Sequence, residues 1–184
     1  MRLLGKRQTE KSKGGSWMNE ELIRDWFHAY ADDIYRFLIY YTSSPDVEDL
    51  VQDVFIKAIN HYDKFRGDSS PKTWLLSIAR NIAIDEARRK KRKNWRDLIH
   101  LYEENTNRSP EEVNIGKEDI QQLYQAIESL KQDYHDVVIL RAIKELSVRD
   151  TARVLNWSET KVRVTYHRAL KNLKEQYKEV QNDG

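Results

Sequence analysis

Between Leu22 and Tyr41 the apolar residues return every three or four positions. Leu22, Trp26, Tyr30, Ile34 and Leu38 make one stripe, with Ile23, Phe27, Tyr35 and Ile39 beside it. That period predicts a long amphipathic helix. Ser43-Ser44-Pro45 ends it, because proline cannot continue a helix and suits the first turn of the next. A second helix is expected from Asp46 to Tyr62, with Val47, Leu50, Val51, Val54, Phe55, Ala58 and Tyr62 on its buried side. The stretch "KFRGDSSPKTW" reads as a loop in which Ser70-Pro71 opens a third helix. That helix carries Leu75, Ile78, Ala79 and Ile82 inward and runs into "ARRKKRKNWR".

From about Asn94 to Lys117 the pattern lapses. The segment is polar, contains Pro110 and Gly116, and predicts a linker or at most one short helix. Helical spacing resumes at Ile120, Leu123, Tyr124, Ile127 and Leu130. In the last third, Ser147 can cap a short helix whose Val148, Ala152 and Leu155 face inward, and Ser158 can cap another. Asn156-Trp157 is left as the turn between them, and asparagine tolerates the left-handed conformation such a turn needs. On the final helix Val162, Tyr166, Ala169 and Leu173 form the buried stripe.

The expected architecture is all-α: two small helical domains joined by a flexible linker, the second containing a helix-turn-helix. The boundaries fall at residues 1–18 for a disordered leader, 19–93 for the first domain, 94–117 for the linker and 118–178 for the second domain. Met18 offers an alternative translational start.

Composition narrows the function. The 184 residues hold 34% charged side chains but a net charge of only +2, so affinity for a polyanion has to come from segregated charge. With no cysteine, disulfides, thiolate metal sites and cysteine nucleophiles are excluded. There is no signal-like apolar core or membrane-length span, so a cytoplasmic protein is expected. The histidines at positions 28, 61, 100, 135 and 167 are scattered, and no nucleophile–base pairing, phosphate loop or metal-ligand spacing accompanies them. The expectation is a protein that is not an enzyme and needs no cofactor.

Three surfaces stand out. On the last helix, Thr160, Arg163, Val164, His167, Lys171 and Lys174 lie opposite the buried stripe, flanked by Lys161 and Arg168. Long donors beside short or methyl-bearing side chains are what a helix needs to read a major groove; the plainer alternative is a solvated basic face. In the first domain, Lys64, Phe65, Arg66, Lys72, Thr73 and Trp74 precede a helix exposing Arg80, Asn81 and Arg88. Basic residues interleaved with aromatics suit single-stranded DNA, although Trp74 also fits a core position and the basic run also fits a charged surface. The second helix is different, because Asp49, Gln52, Asp53, Ile56 and Asn60 lie opposite its core side. Those carboxylates would repel phosphate, and Asp46, Glu48, Asp49 and Asp53 do not converge as metal ligands would. A basic protein surface is the better partner: an apolar contact ringed by carboxylates.

The segments "DLVQDVF", "FRGDSSPKTWLLSIARNIAIDEARR" and "LSVRDTARVLNWSETKVRVTYHRALKNL", in that order, resemble the extracytoplasmic-function (ECF) sigma factors of bacteria over about residues 19 to 177. The resemblance implies an alternative sigma factor that binds core RNA polymerase and directs promoter-specific initiation. It implies docking of Asp49, Gln52, Asp53 and Ile56 on the clamp helices of the largest polymerase subunit. For the minus-10 element it implies melting and capture by Lys64, Arg66, Lys72, Thr73, Trp74, Arg80, Asn81 and Arg88, with Asn81 near a flipped base. For the minus-35 element it implies readout by Ser158, Thr160, Lys161, Arg163, Val164, His167, Arg168 and Lys171. The linker would thread through the polymerase cleft, and a membrane-bound anti-sigma factor is the implied regulator. The chain departs from the family's usual pattern at Asn156, Val164 and Thr165, positions that bear on base preference. A stand-alone helix-turn-helix regulator is the rival reading, and it leaves the acidic face without a purpose.

Overall fold

The structure, a computed structural model, describes the backbone of residues 8–100 and 117–182 and the side chains of residues 21–90 and 123–176. Among these residues there is no strand. Seven α-helices follow in order: α1 (Gln8–Thr42), α2 (Glu48–Asn60), α3 (Pro71–His100), α4 (Lys117–Ser129), α5 (Gln132–Val138), α6 (Val148–Leu155) and α7 (Glu159–Asn182). The chain divides into two compact units, Met1–Ala83 and Ile84–Gly184.

In the first unit α1 and α2 pack along one another. Ile23, Trp26, Ile34, Phe37, Leu38 and Tyr41 of α1 and Val47, Val51, Val54, Phe55 and Ala58 of α2 are buried, as are Leu75, Leu76, Ala79, Ile82 and Ala83 of α3. Helix α1 stops where the polar run begins. The Thr42 hydroxyl donates to the Leu38 carbonyl at 2.8 Å, and Ser43 takes a left-handed conformation, φ 49°, that reverses the chain. Helix α3 starts at Pro71, with the Ser70 hydroxyl accepting the Thr73 N–H at 3.1 Å, as the serine–proline pair leads one to expect.

Between α2 and α3 a single 3₁₀ turn, Tyr62–Lys64, feeds an aromatic cluster. Trp26 meets Phe65 edge-on at 5.0 Å and Trp74 at 6.1 Å, while Phe65 and Trp74 lie 5.3 Å apart. Tyr62 joins through Trp26 at 5.8 Å. Tyr62 therefore belongs to this cluster and not to the α2 stripe. Rings in such tilted and edge-to-face contacts hold better than their area alone accounts for, so the loop is pinned to α1.

Three boundaries differ from expectation. Helix α1 begins at Gln8, inside the segment expected to be a disordered leader; no proline interrupts Gln8–Leu22, and its Glu and Lys residues favour a helix although Gly14 and Gly15 weaken it. Helix α2 begins at Glu48, with Asp46 outside it and Val47 at the cap position. Helix α3 runs to His100, beyond the expected limit at Asn94, since "NWRDLIH" holds no breaker. Most of the expected linker, residues 101–116, lies outside the described residues, as do residues 1–7 of the leader.

The second unit is built around α5 and the π-turn that extends it, Ile139–Ile143. Val137, Val138, Ile139 and Leu140 are all buried, and a segment apolar on every side must run through the middle of its domain. Helix α7 packs on α5 and α6, burying Val162, Ala169 and Leu173 against Ala152, Val154 and Leu155. Leu123, expected inward, is exposed. No described helix is long and apolar enough to cross a membrane.

Candidate protein-binding and nucleic-acid interfaces

Separating α2 into two sides reproduces the face read from its sequence. Asp49, Gln52, Asp53, Ile56 and Asn60 are all exposed while Val51, Val54, Phe55 and Ala58 are buried. Ile56 is 53% exposed in the middle of this polar face. Neither Asp49 nor Asp53 forms an ion pair among the described residues, so their charge is available to a partner. Asp49 has a second role, because a carboxylate in the first turn is favoured by the helix dipole.

The loop and helix from Lys64 to Arg88 are more mixed. Lys64, Arg66, Asn81 and Arg88 are exposed. Arg66 precedes Gly67, whose φ of +73° makes the turn that presents the arginine. Lys72 is joined to Asp33 of α1 at 2.7 Å, so part of its charge is already neutralised. Trp74 is half-buried in the aromatic cluster, which favours the packing alternative for at least one edge of its ring. Thr73 is the correction. It is only 4% exposed, and its hydroxyl lies 2.8 Å from Ser70 Oγ, so it completes the α3 cap and is not presented to DNA. Arg80 is half-buried.

The helix-turn-helix is set by local chemistry. Ser147 accepts the Asp150 N–H at 3.0 Å to start α6. Asn156 then turns left-handed, φ 54° and ψ 47°. Trp157 N–H donates to the Ala152 carbonyl at 2.9 Å and Asn156 N–H to the Arg153 carbonyl at 3.3 Å. These two bonds are the Schellman pattern that closes a helix on a left-handed residue. Ser158 Oγ next accepts the Lys161 N–H at 3.1 Å to start α7.

Thr160, Lys161, Arg163, Val164, His167, Arg168, Lys171 and Lys174 are all exposed, as the sequence pattern requires. Val164 is 43% exposed on this otherwise polar side, where a branched methyl can meet a thymine methyl. Thr165 is buried, so this departure from the family pattern does not lie on the outer face.

Not every cation on α7 is free. Arg163 receives a carboxylate from Glu159 at 2.8 Å, and Lys171 lies 3.8 Å from Glu175. Lys161 sits with Nζ 3.6 Å from the centroid of the Trp157 ring and 3.4 Å from Asp133 of α5. The Glu159–Arg163 pair is an i,i+4 contact that the sequence could have revealed. Asp133 is far from Lys161 in sequence, and no local signal could have joined them.

Below this surface, Asp136 is fully buried and its carboxylate accepts from Gln132 Nε2 at 2.9 Å. The neighbouring His135 is also buried, and desolvation lowers its pKa from the ordinary imidazole value although the charges of Asp136 and Glu128 act the other way. No group of metal-ligating side chains comes together among the described residues.

Residues 26–93 match the family model for sigma-70 region 2 and residues 120–173 that for sigma-70 region 4. The chain is 37% identical over 162 residues to the ECF RNA polymerase sigma factor SigX of Bacillus subtilis, covering 84% of this chain and 83% of that protein. It is 33% identical over 141 residues to the ECF RNA polymerase sigma-E factor of Escherichia coli K12, covering 70% and 72%. Among solved structures, the sigma factor RpoE from Bartonella quintana, crystallised with the anti-sigma factor NepR, superposes with a TM-score of 0.64 at 27% identity, covering 84% of this chain and 96% of that one. CnrH, in complex with the cytosolic domain of CnrY, gives a TM-score of 0.62 at 20% identity, with 90% and 94% covered.

Proposed function

The chain belongs to the extracytoplasmic-function sigma factors, and from that membership we propose how its surfaces divide the work of initiation. A protein of this kind is a transcription initiation factor: it binds core RNA polymerase and directs it to particular promoters, and the stand-alone regulator is not favoured. Polymerase supplies the chemistry, and this chain supplies placement.

The proposed core-binding surface is Asp49, Gln52, Asp53 and Ile56 of α2. Exposed Ile56 between unpaired carboxylates is the observation that carries it, because that combination suits a basic protein surface with an apolar spot and repels DNA. The proposed minus-10 surface is Lys64, Arg66, Asn81 and Arg88, with Lys72, Arg80 and the accessible part of Trp74 beside them. Exposed cations position the backbone, and Asn81 offers an amide to an unstacked base. The proposed minus-35 surface is Thr160, Arg163, Val164, His167, Arg168 and Lys171 of α7. Ser158 serves first as the helix cap and retains its O–H for a phosphate. The domains are proposed to span residues 19–93 and 118–178, with residues 94–117 connecting them, and the protein works in the cytoplasm.

Regulation by an anti-sigma factor is part of this proposal. RpoE of Bartonella quintana was solved with the anti-sigma factor NepR. An anti-sigma factor anchored in the membrane would act here by covering the α2 face and the α7 face, which are the surfaces holoenzyme formation and promoter reading require.

Run-off transcription with purified core polymerase on a genomic fragment library tests the function. Added protein is expected to produce a small set of discrete transcripts that core alone does not make. In a pull-down of core, Asp53→Lys and Ile56→Glu are expected to abolish binding while circular dichroism and melting are unchanged. Retention of core by both variants would remove α2 as the docking helix.

A further inference from the structure

We propose that Lys161 is a positioning residue, a clasp that fixes the entry of the recognition helix onto α5, and not one of its phosphate-binding cations. The idea rests on the reading of α7 as the minus-35 reader. Three observations meet at this side chain. Its ammonium stands 3.6 Å from the centre of the Trp157 ring, a distance at which a ring face attracts a cation. The same ammonium lies 3.4 Å from the carboxylate of Asp133. Its own backbone N–H is held by the Ser158 cap at 3.1 Å.

The consequence is geometric. Trp157 is the second residue of the turn, and its backbone is fixed by the bond to Ala152. Asp133 lies in the first turn of α5, the helix that continues into the buried run Val137–Leu140. Lys161 thus ties the first turn of α7 at once to the turn before it and to the central helix of its own domain. Arg163 and Val164 follow within three residues, so a small rotation at Lys161 would re-aim both against the bases. Holding a reader within a fraction of an ångström is the work of such supporting contacts.

A phosphate-binding lysine would behave differently. Asp133 would then compete with DNA for the ammonium, and removing its charge would free the lysine and tighten binding. For a clasp, losing either partner loosens the helix and weakens binding. The two roles predict opposite signs for one substitution.

The test uses the full chain in holoenzyme with core polymerase, on a promoter fragment recovered by run-off selection, with affinity measured across a salt series. Lys161→Met and Asp133→Asn are each expected to weaken binding roughly two- to ten-fold, the range set by an exposed ion pair and a cation–π contact. The double variant should be no weaker than the worse single one. The slope of log affinity against log salt should match wild type. Amide exchange of the DNA-free protein at Lys161, Val162 and Arg163 should quicken in both single variants.

Tighter binding by Asp133→Asn, or a slope reduced by about 0.9 in Lys161→Met as for one lost phosphate contact, would overturn the clasp. Arg163→Ala serves as the control for the underlying reading. If it leaves promoter binding unchanged, the assignment of α7 as reader fails. The clasp is then judged by amide exchange alone, where quickening supports it and wild-type rates overturn it.

Discussion

At the scale of single residues, the helix-turn-helix depends on one backbone conformation that most side chains resist. Asn156 is left-handed, a region that costs an ordinary L-residue about 1–2 kcal/mol and that Asn and Gly enter more readily. Asn156→Ala is therefore expected to destabilise the second unit by about 1 kcal/mol, and Asn156→Gly to leave it near wild type. In domains of roughly this size 1 kcal/mol moves a melting midpoint by about 4–8 °C. Thermal melts of both variants check the argument, and equal losses would mean that the asparagine side chain, not its backbone freedom, carries the turn. Ser147→Ala should cost about 1 kcal/mol by the separate route of the lost cap.

At the scale of elements, the buried part of α5 makes stability depend on pH. His135 has its folded pKa lowered by desolvation, so the unfolded chain takes up a proton near pH 6.5 before the folded one does. Stability is complete above that value and declines as pH falls through it, until the lowered folded pKa is reached. His135→Gln is expected to flatten this decline as pH falls through the ordinary imidazole value and below it, read as the melting midpoint of the full chain against pH. An unchanged decline would place its source elsewhere. The sequence gives no hint of this histidine's burial, since its position matters only once α7 closes over α5.

The same division explains what was legible in advance. The caps at Ser70, Ser147 and Ser158, the turn at Asn156 and the outer faces of α2 and α7 are local matters, decided within one or two turns of chain. Thr73 looks like a DNA donor only while the cap three residues earlier, Ser70, which claims its hydroxyl, is left out. The aromatic cluster of Trp26, Phe65 and Trp74 and the contact of Lys161 with Asp133 join distant segments, and periodicity carries no information about those. The early start of α1 and late end of α3 were hidden for another reason: polar helix formers continue a helix with no apolar stripe to mark it.

At the scale of the whole molecule, a net charge of +2 conceals two surfaces that should answer salt by different laws. The α2 face offers carboxylates around an apolar centre, and its attraction to a basic partner is screened over a distance of about 8–10 Å at ordinary ionic strength. The α7 face instead meets a polyanion and releases condensed counterions, so promoter affinity falls as a power of salt concentration. For six to ten phosphate contacts the loss is about 10³–10⁵ between 50 and 200 mM. Core binding should weaken far less over the same interval, because burying Ile56 is indifferent to salt. Arg168→Ala should then reduce the promoter slope by about 0.9 per contact removed without changing core affinity, whereas Ile56→Glu should do the reverse at every salt concentration. Binding isotherms for core and for promoter, taken on the same preparations, separate the two. If both affinities fell in parallel, or if Arg168→Ala moved both, the acidic and basic faces would not be acting as independent surfaces, and the division of labour drawn from their charge would fail.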